Sequence, residues 1–251
     1  MEITYRYSAS VIRILRILSL LSFILLAALP SWGMLYTNEL ASSSPDEIID
    51  TDKKEVQELV DPVKEFDYDG TDFLKKNAVE EINELIKNYY KAQLELDMDT
   101  LESLVSDIDR INYSMLQAQL KYIESIDNII CYSVEGSIEG TYRVYVYRDL
   151  KLRGIDTPAP SLSAFYVTMS SDGNYIIYLS DIDSDTQEFI DETNKSEDVI
   201  ILKALVDERM NSALSKDAKL KEFYDQIDTS INNSSKESGA DAVSGSAITE
   251  E

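Results

Sequence analysis

Thr141-Tyr-Arg-Val-Tyr-Val-Tyr-Arg-Asp-Leu-Lys-Leu-Arg153 is dense in β-branched and aromatic residues, a composition that fits a long, pleated, largely buried strand. Leu162-Ser-Ala-Phe-Tyr-Val-Thr-Met169 repeats that character. Between them, Gly154-Ile-Asp-Thr-Pro-Ala-Pro-Ser161 carries two prolines, each of which fixes φ and withdraws a backbone donor, so a connecting loop is expected there. Ser171-Asp-Gly-Asn174 precedes Tyr175-Ile-Ile-Tyr-Leu179, and Asp-Gly between apolar runs is a strong hairpin signal. With a further strand around Ile129 to Val134, a curved antiparallel sheet of about four strands forms the centre of an α+β fold. On the long strand the even positions Tyr142, Val144, Val146, Leu150 and Leu152 suit a buried face, interrupted by Arg148. The odd positions Arg143, Tyr145, Tyr147, Asp149, Lys151 and Arg153 mix aromatic and charged groups, and period-two alternation makes them a second face suited to a cleft or a partner.

Helical patterns flank this sheet on both sides. Val79, Ile82, Leu85, Ile86, Tyr89 and Tyr90 recur at helical spacing within Asn77 to Leu96, giving one apolar stripe. Asp99 followed by Glu102 is a capping-type start for a helix carrying Leu101, Leu104 and Val105, and a third helix is expected over Arg110 to Ser125. After the hairpin, Thr186 to Thr193, Asp198 to Ser215 and Asp217 to Ile227 present apolar positions for terminal packing helices.

Composition narrows the function. The 251 residues carry a formal net charge of −24, from 47 acidic and 23 basic side chains, a field that repels nucleic acid phosphates and anionic lipid. No nucleic acid partner is expected. The chain has no histidine, which removes histidine-based triads, histidine zinc sites and histidine acid–base chemistry. Cys131, the only cysteine, lies in Ile129-Ile-Cys-Tyr132 and fits a small buried apolar residue.

Arg6, Arg13 and Arg16 precede Ile17-Leu-Ser-Leu-Leu-Ser-Phe-Ile-Leu-Leu-Ala-Ala-Leu29, and the apolar character continues through Trp32, Met34, Leu35 and Tyr36. As far as Tyr36 this is about 20 residues, the span of a bilayer core, with positive charge on one side and acids on the other. The expectation is one transmembrane signal anchor with the C-terminal domain outside the cell membrane. The alternative is secretion after cleavage of a signal peptide near Ser31-Trp-Gly33. The chain then divides into residues 1–36 (cytoplasmic segment and anchor), 37–72 (acidic linker), 73–228 (folded domain) and 229–251 (disordered tail). Within the linker, Lys53 to Val60 forms at most a short, marginal helix.

The helix pair Asn77-Ala-Val-Glu-Glu-Ile-Asn-Glu-Leu-Ile-Lys-Asn-Tyr-Tyr90 and Leu94-Glu-Leu-Asp-Met-Asp-Thr-Leu-Glu-Ser-Leu-Val105, followed by a helix and a curved sheet, resembles the nuclear transport factor 2-like superfamily. The resemblance covers about Phe73 to Ile227. More narrowly, Tyr122-Ile-Glu-Ser-Ile-Asp-Asn-Ile-Ile-Cys-Tyr132, Tyr142 to Tyr147 and Gly154 to Leu162 look like extracytoplasmic clostridial-type members. It implies a cone-shaped α+β domain, and since that superfamily includes enzymes, ligand-binding modules and assembly domains, it implies no particular activity.

Two constellations carry candidate chemistry. An isomerase-like site needs an acidic base and a tyrosine–acid donor pair converging in an apolar pocket, and Tyr89, Tyr90, Asp97 and Asp99 supply those residue types. A packing stripe and a helix cap explain the same four residues. Asp181-Ile-Asp-Ser-Asp-Thr-Gln-Glu-Phe-Ile-Asp-Glu192 places Asp181, Asp183, Asp185 and Glu192 as in a calcium loop, but Thr186 stands where the sharp turn needs glycine. Asp183 or Asp185 as a helix cap is the competing reading. No catalytic residue, cofactor or metal is assigned. Tyr89, Tyr90, Tyr145 and Tyr147 are the candidate pocket or partner-face residues. The expected function is a non-enzymatic binding or assembly module for an envelope protein or small ligand, homodimerisation included. The alternative is a small-molecule-binding or isomerase-like enzyme using carboxylates and tyrosines in the cone.

Overall fold

The computed structural model describes residues 53–227 and residue 229. The expected membrane span, the first part of the linker and nearly all of the C-terminal tail lie outside the described residues. Among the described residues no helix is long and apolar enough to cross a membrane.

The domain is α+β, with five antiparallel strands in sequential order, β1 (Lys75–Lys76), β2 (Ile123–Glu135), β3 (Tyr142–Leu152), β4 (Ala159–Met169) and β5 (Tyr175–Ile177). One strand more is present than the sequence pattern indicated. β1 is two residues long and has no periodicity to read; it is fixed by pairing with Ser133 and Tyr132. Helices α1 (Lys53–Leu59), α2 (Glu80–Glu95), α3 (Met98–Leu104) and α4 (Tyr113–Gln119) surround or precede the sheet, and α5 (Ser184–Asn194) and α6 (Glu197–Lys216) follow it. Residues 218–227 form a last helix, α7.

The Ser171-Asp-Gly-Asn174 turn joins β4 to β5, with Gly173 at φ 82°, a left-handed conformation that glycine adopts without strain. β4 starts at Ala159 and so includes Pro160, which the loop assignment had excluded. The reason is local: β5 pairs only with Val167 to Met169, so around Pro160 the outer edge of β4 is open and the missing N–H costs no ladder bond. The third helix is shorter than expected, because β2 begins at Ile123. Its first half, Ile-Glu-Ser-Ile-Asp-Asn, lacks alternation because it is bulged: register shifts occur at Ile123/Ser125 and Asp127/Ile130, and Asn128 sits at φ 50°. Such bulges bend a strand and raise its twist.

The sheet is covered on both faces. Beneath α2 and α3, Ile82, Leu85, Ile86, Tyr89 and Tyr90 pack on Cys131, Val144, Val146, Phe165 and Val167. Across the sheet, Val199, Leu202, Leu205 and Val206 of α6 pack on Tyr132, Val134, Tyr145 and Tyr147. A third cluster, at one end, joins Leu150, Leu152 and Ile155 to Ala213 and Leu220, with Phe223 and Tyr224 of α7 against it. The odd face of β3 is therefore interior, a correction to its reading as a cleft or partner surface. Local alternation finds two faces but cannot tell that a helix some fifty residues later covers one of them.

The same layer corrects the linker boundary. Val60 and Phe66 are 6% and 1% exposed within the α6 cluster. Arg209 of α6, fully buried, donates from Nη1 to the carbonyls of Leu59 and Asp61 at 2.7 Å each, and from Nη2 to that of Lys64. Those contacts strap residues 59–66 across α6, so part of the acidic stretch belongs to the domain.

Candidate functional site

The helical stripe of α2 points Tyr89 and Tyr90 at the even face of β3, where Phe165 of β4 joins them. Ring centroids lie 5.5 Å apart for Tyr89–Tyr90, 5.6 Å for Tyr89–Phe165 and 6.2 Å for Tyr90–Phe165, all edge-on, the geometry that aromatic quadrupoles favour. Burial raises both tyrosine pKa values. Both hydroxyls stay neutral at any physiological pH.

Arg148 interrupts the apolar even face. It lies between Val146, in the cluster under α2, and Leu150, in the cluster under α7, and is 1% exposed. Its Nη1 donates to the Tyr90 hydroxyl and to Ser163 Oγ, and the guanidinium carbon stands 4.6 Å from the Tyr90 ring centre. Ser163 is reachable because the register opposes it to Val146, one diagonal step from Arg148. Arg148 Nε is buried without a hydrogen-bond partner, and among the described residues no carboxylate forms an ion pair with this guanidinium. Tyr224 of α7 lies within electrostatic reach, its hydroxyl pushed up to about 12 by burial and drawn down by the Arg148 charge. A buried charge without a counter-ion costs on the order of several kcal/mol. Arg209, buried as deeply, also forms no ion pair among the described residues, but three backbone carbonyls accept from it, whereas Arg148 has two hydroxyls.

The other predicted residues are placed differently. Tyr145 and Tyr147 are 1% and 0% exposed beneath α6. The Tyr145 hydroxyl donates to Asn194 Oδ1 at 2.7 Å and the Tyr147 hydroxyl to Asp149 Oδ1 at 2.5 Å. Asn128 Nδ2 donates to the second Asp149 oxygen at 2.7 Å, so the bulge on β2 and the hydroxyl on β3 meet on one buried carboxylate. Phe66 stacks on Tyr147 at 4.1 Å. These contacts make Tyr145 and Tyr147 packing residues of the α6 layer.

Asp97 accepts from the backbone N–H and hydroxyl of Thr100, at 3.0 and 2.6 Å, and caps α3. The Thr100 hydroxyl, its backbone N–H and the N–H of Asp99 lower its pKa. Asp99 lies exposed in the first turn of α3. The carboxylates and tyrosines of the isomerase-like set are thus not brought together. In the acidic run, Asp183 caps α5 by accepting from the Thr186 N–H at 2.7 Å, and Asp181 accepts from Arg110 Nη2 at 3.0 Å. Asp185 and Glu192 are exposed at opposite ends of that helix. A calcium loop would have to stay non-helical where α5 already runs, and the described residues contain no group of three or more metal-ligating side chains placed to hold an ion. Cys131 is buried, its thiol pushed up to about 12.

Arg148, Ser163 and Tyr224 were not singled out from the sequence. The one available signal was the charged residue breaking the apolar alternation of β3; nothing local links it to a serine on the next strand or a tyrosine on the last helix. No family model matches the chain, and comparison with curated proteins and with solved structures finds no match.

Proposed function

We infer that the chain is a non-enzymatic binding module held outside the cell by an N-terminal membrane anchor. The observation that carries this reading is the chemistry of the buried region between α2, β3 and β4. It offers aromatic rings, neutral hydroxyls and one guanidinium, with no carboxylate in the described cluster and with its one thiol, Cys131, kept protonated by burial. Such a set attracts and orients a ligand but has no group of suitable pKa to move a proton at neutral pH. The order of α2, α3 and an antiparallel sheet is compatible with the nuclear transport factor 2-like resemblance, where binding modules occur. The arginine asymmetry around Ile17 to Leu29 supports display outside the membrane.

The test is native mass spectrometry of the full chain purified in detergent, with protease accessibility of intact protoplasts. A partner or small molecule retained stoichiometrically and released unchanged, on a domain cleaved by external protease, is the expected result. Conversion of the bound molecule, or a protease-protected domain, overturns the reading.

A further inference from the structure

The partners of Arg148 occupy only one corner of its guanidinium. Nη1 is engaged by Tyr90 and Ser163, whereas Nε is buried without a partner. In the planar guanidinium, Nε–H and one Nη2–H project in parallel from a single edge, the spacing that the two oxygens of a carboxylate match. We propose that this edge receives the carboxylate of a small organic monoanion, with Tyr89, Tyr90, Phe165 and Tyr224 lying along its apolar body.

This deepens the binding reading above and rests on it. Charge selects the class: one buried cation balances a monoanion, while a phosphate dianion would leave an uncompensated negative charge in the interior. The hydroxyls engaging Nη1 are neutral, so they hold the guanidinium without competing for its charge. Tyr224 of α7 packs on the cluster that contains Leu150, the next residue after Arg148 on the same face of β3. That helix follows α6 after Asp217 alone and is held on the β3–β4 loop by Asp217, which accepts from the Thr157 N–H at 3.1 Å, and by the buried Leu220.

The test uses the full chain and four probes at matched ionic strength: sodium benzoate, sodium butyrate, benzamide and phosphate. At roughly ten times the dissociation constant, the carboxylates should raise Tm by roughly 3–6 °C, and benzamide and phosphate should leave it unchanged. Arg148→Met should abolish the response while its ligand-free Tm is equal or higher, since a buried ion replaced by a hydrophobe of similar volume is often neutral or stabilising. Arg148→Lys keeps the charge but loses the fork, and should weaken carboxylate binding at least tenfold by titration calorimetry. If Arg148→Met fails to fold, the lysine variant carries the comparison, and wild-type affinity in it overturns the proposal. So does an equal response to benzamide or phosphate, a response retained in Arg148→Met, or no response to either carboxylate. A carboxylate held at Arg148 but consumed supports the anchor and overturns the non-enzymatic reading; a retained neutral molecule or protein with no carboxylate response does the reverse.

Discussion

Arg209 of α6 and Leu59 of α1, near opposite ends of the folded chain, are joined by a 2.7 Å hydrogen bond from Nη1 to the carbonyl. With the carbonyls of Asp61 and Lys64 on the same guanidinium, and its carbon 5.5 Å from the Phe66 ring centre, this one side chain fastens the acidic lead-in to the domain. Backbone carbonyls supply negative dipoles without a formal counter-charge, which is how α6 buries a cation. Arg209→Met should cost about 3 kcal/mol in urea unfolding, because three carbonyls lose their charged donor. Limited proteolysis should then cut within residues 59–66, which the wild type protects.

Phe66→Ala tests the same layer from the other side. The ring is 1% exposed and stacks on Tyr147, so its loss should destabilise the domain by about 3–5 kcal/mol. A linker residue would show no effect. The comparison is again the urea midpoint at constant m-value.

Asp183→Ala should lower stability by about 1 kcal/mol through loss of the α5 cap, and its effect should be the same with calcium and with chelator. Thermal melts of the wild type in the two conditions should coincide to within error. A calcium-dependent rise removed by Asp183→Asn would restore the metal-loop reading.

Hydrogen bonds from Thr100 lower the folded pKa of Asp97 below 3.8. A depressed carboxylate contributes stability above its unfolded pKa and loses it as pH falls through the folded value. The Tm difference between wild type and Asp97→Asn should therefore be constant from pH 7 to about 5 and shrink below about 4. A difference that grows on acidification would contradict the sign.

Cys131 has the opposite sign. Burial raises its thiol from 9.0 to about 12, so folding disfavours the thiolate, and the stability from the neutral thiol is present below pH 9 and lost above it. At pH 8 the native chain should resist thiol reagents and should label fully in denaturant. Rapid labelling of the native chain would show that the site opens.

Alternation of β-branched and aromatic residues in Tyr142 to Leu152, the Asp-Gly turn and the stripe from Ile82 to Tyr90 determined the central strands, the hairpin and α2 by themselves, because period and turn chemistry are local properties of a chain. That acids cap α3 and α5 was legible for the same reason, but not which acid: the pattern put the first cap at Asp99 and left the second between Asp183 and Asp185, whereas Asp97 and Asp183 hold them. Local pattern did not determine the fate of Tyr145 and Tyr147, since whether a two-faced strand is covered once or twice depends on where α6 docks. It did not determine β1 or the bulged half of β2, whose register exists only through their partners. Nor did it place Arg148 against Ser163 and Tyr90: strand register and the docking of α2 bring those three together, and both are settled by packing between residues far apart in the chain.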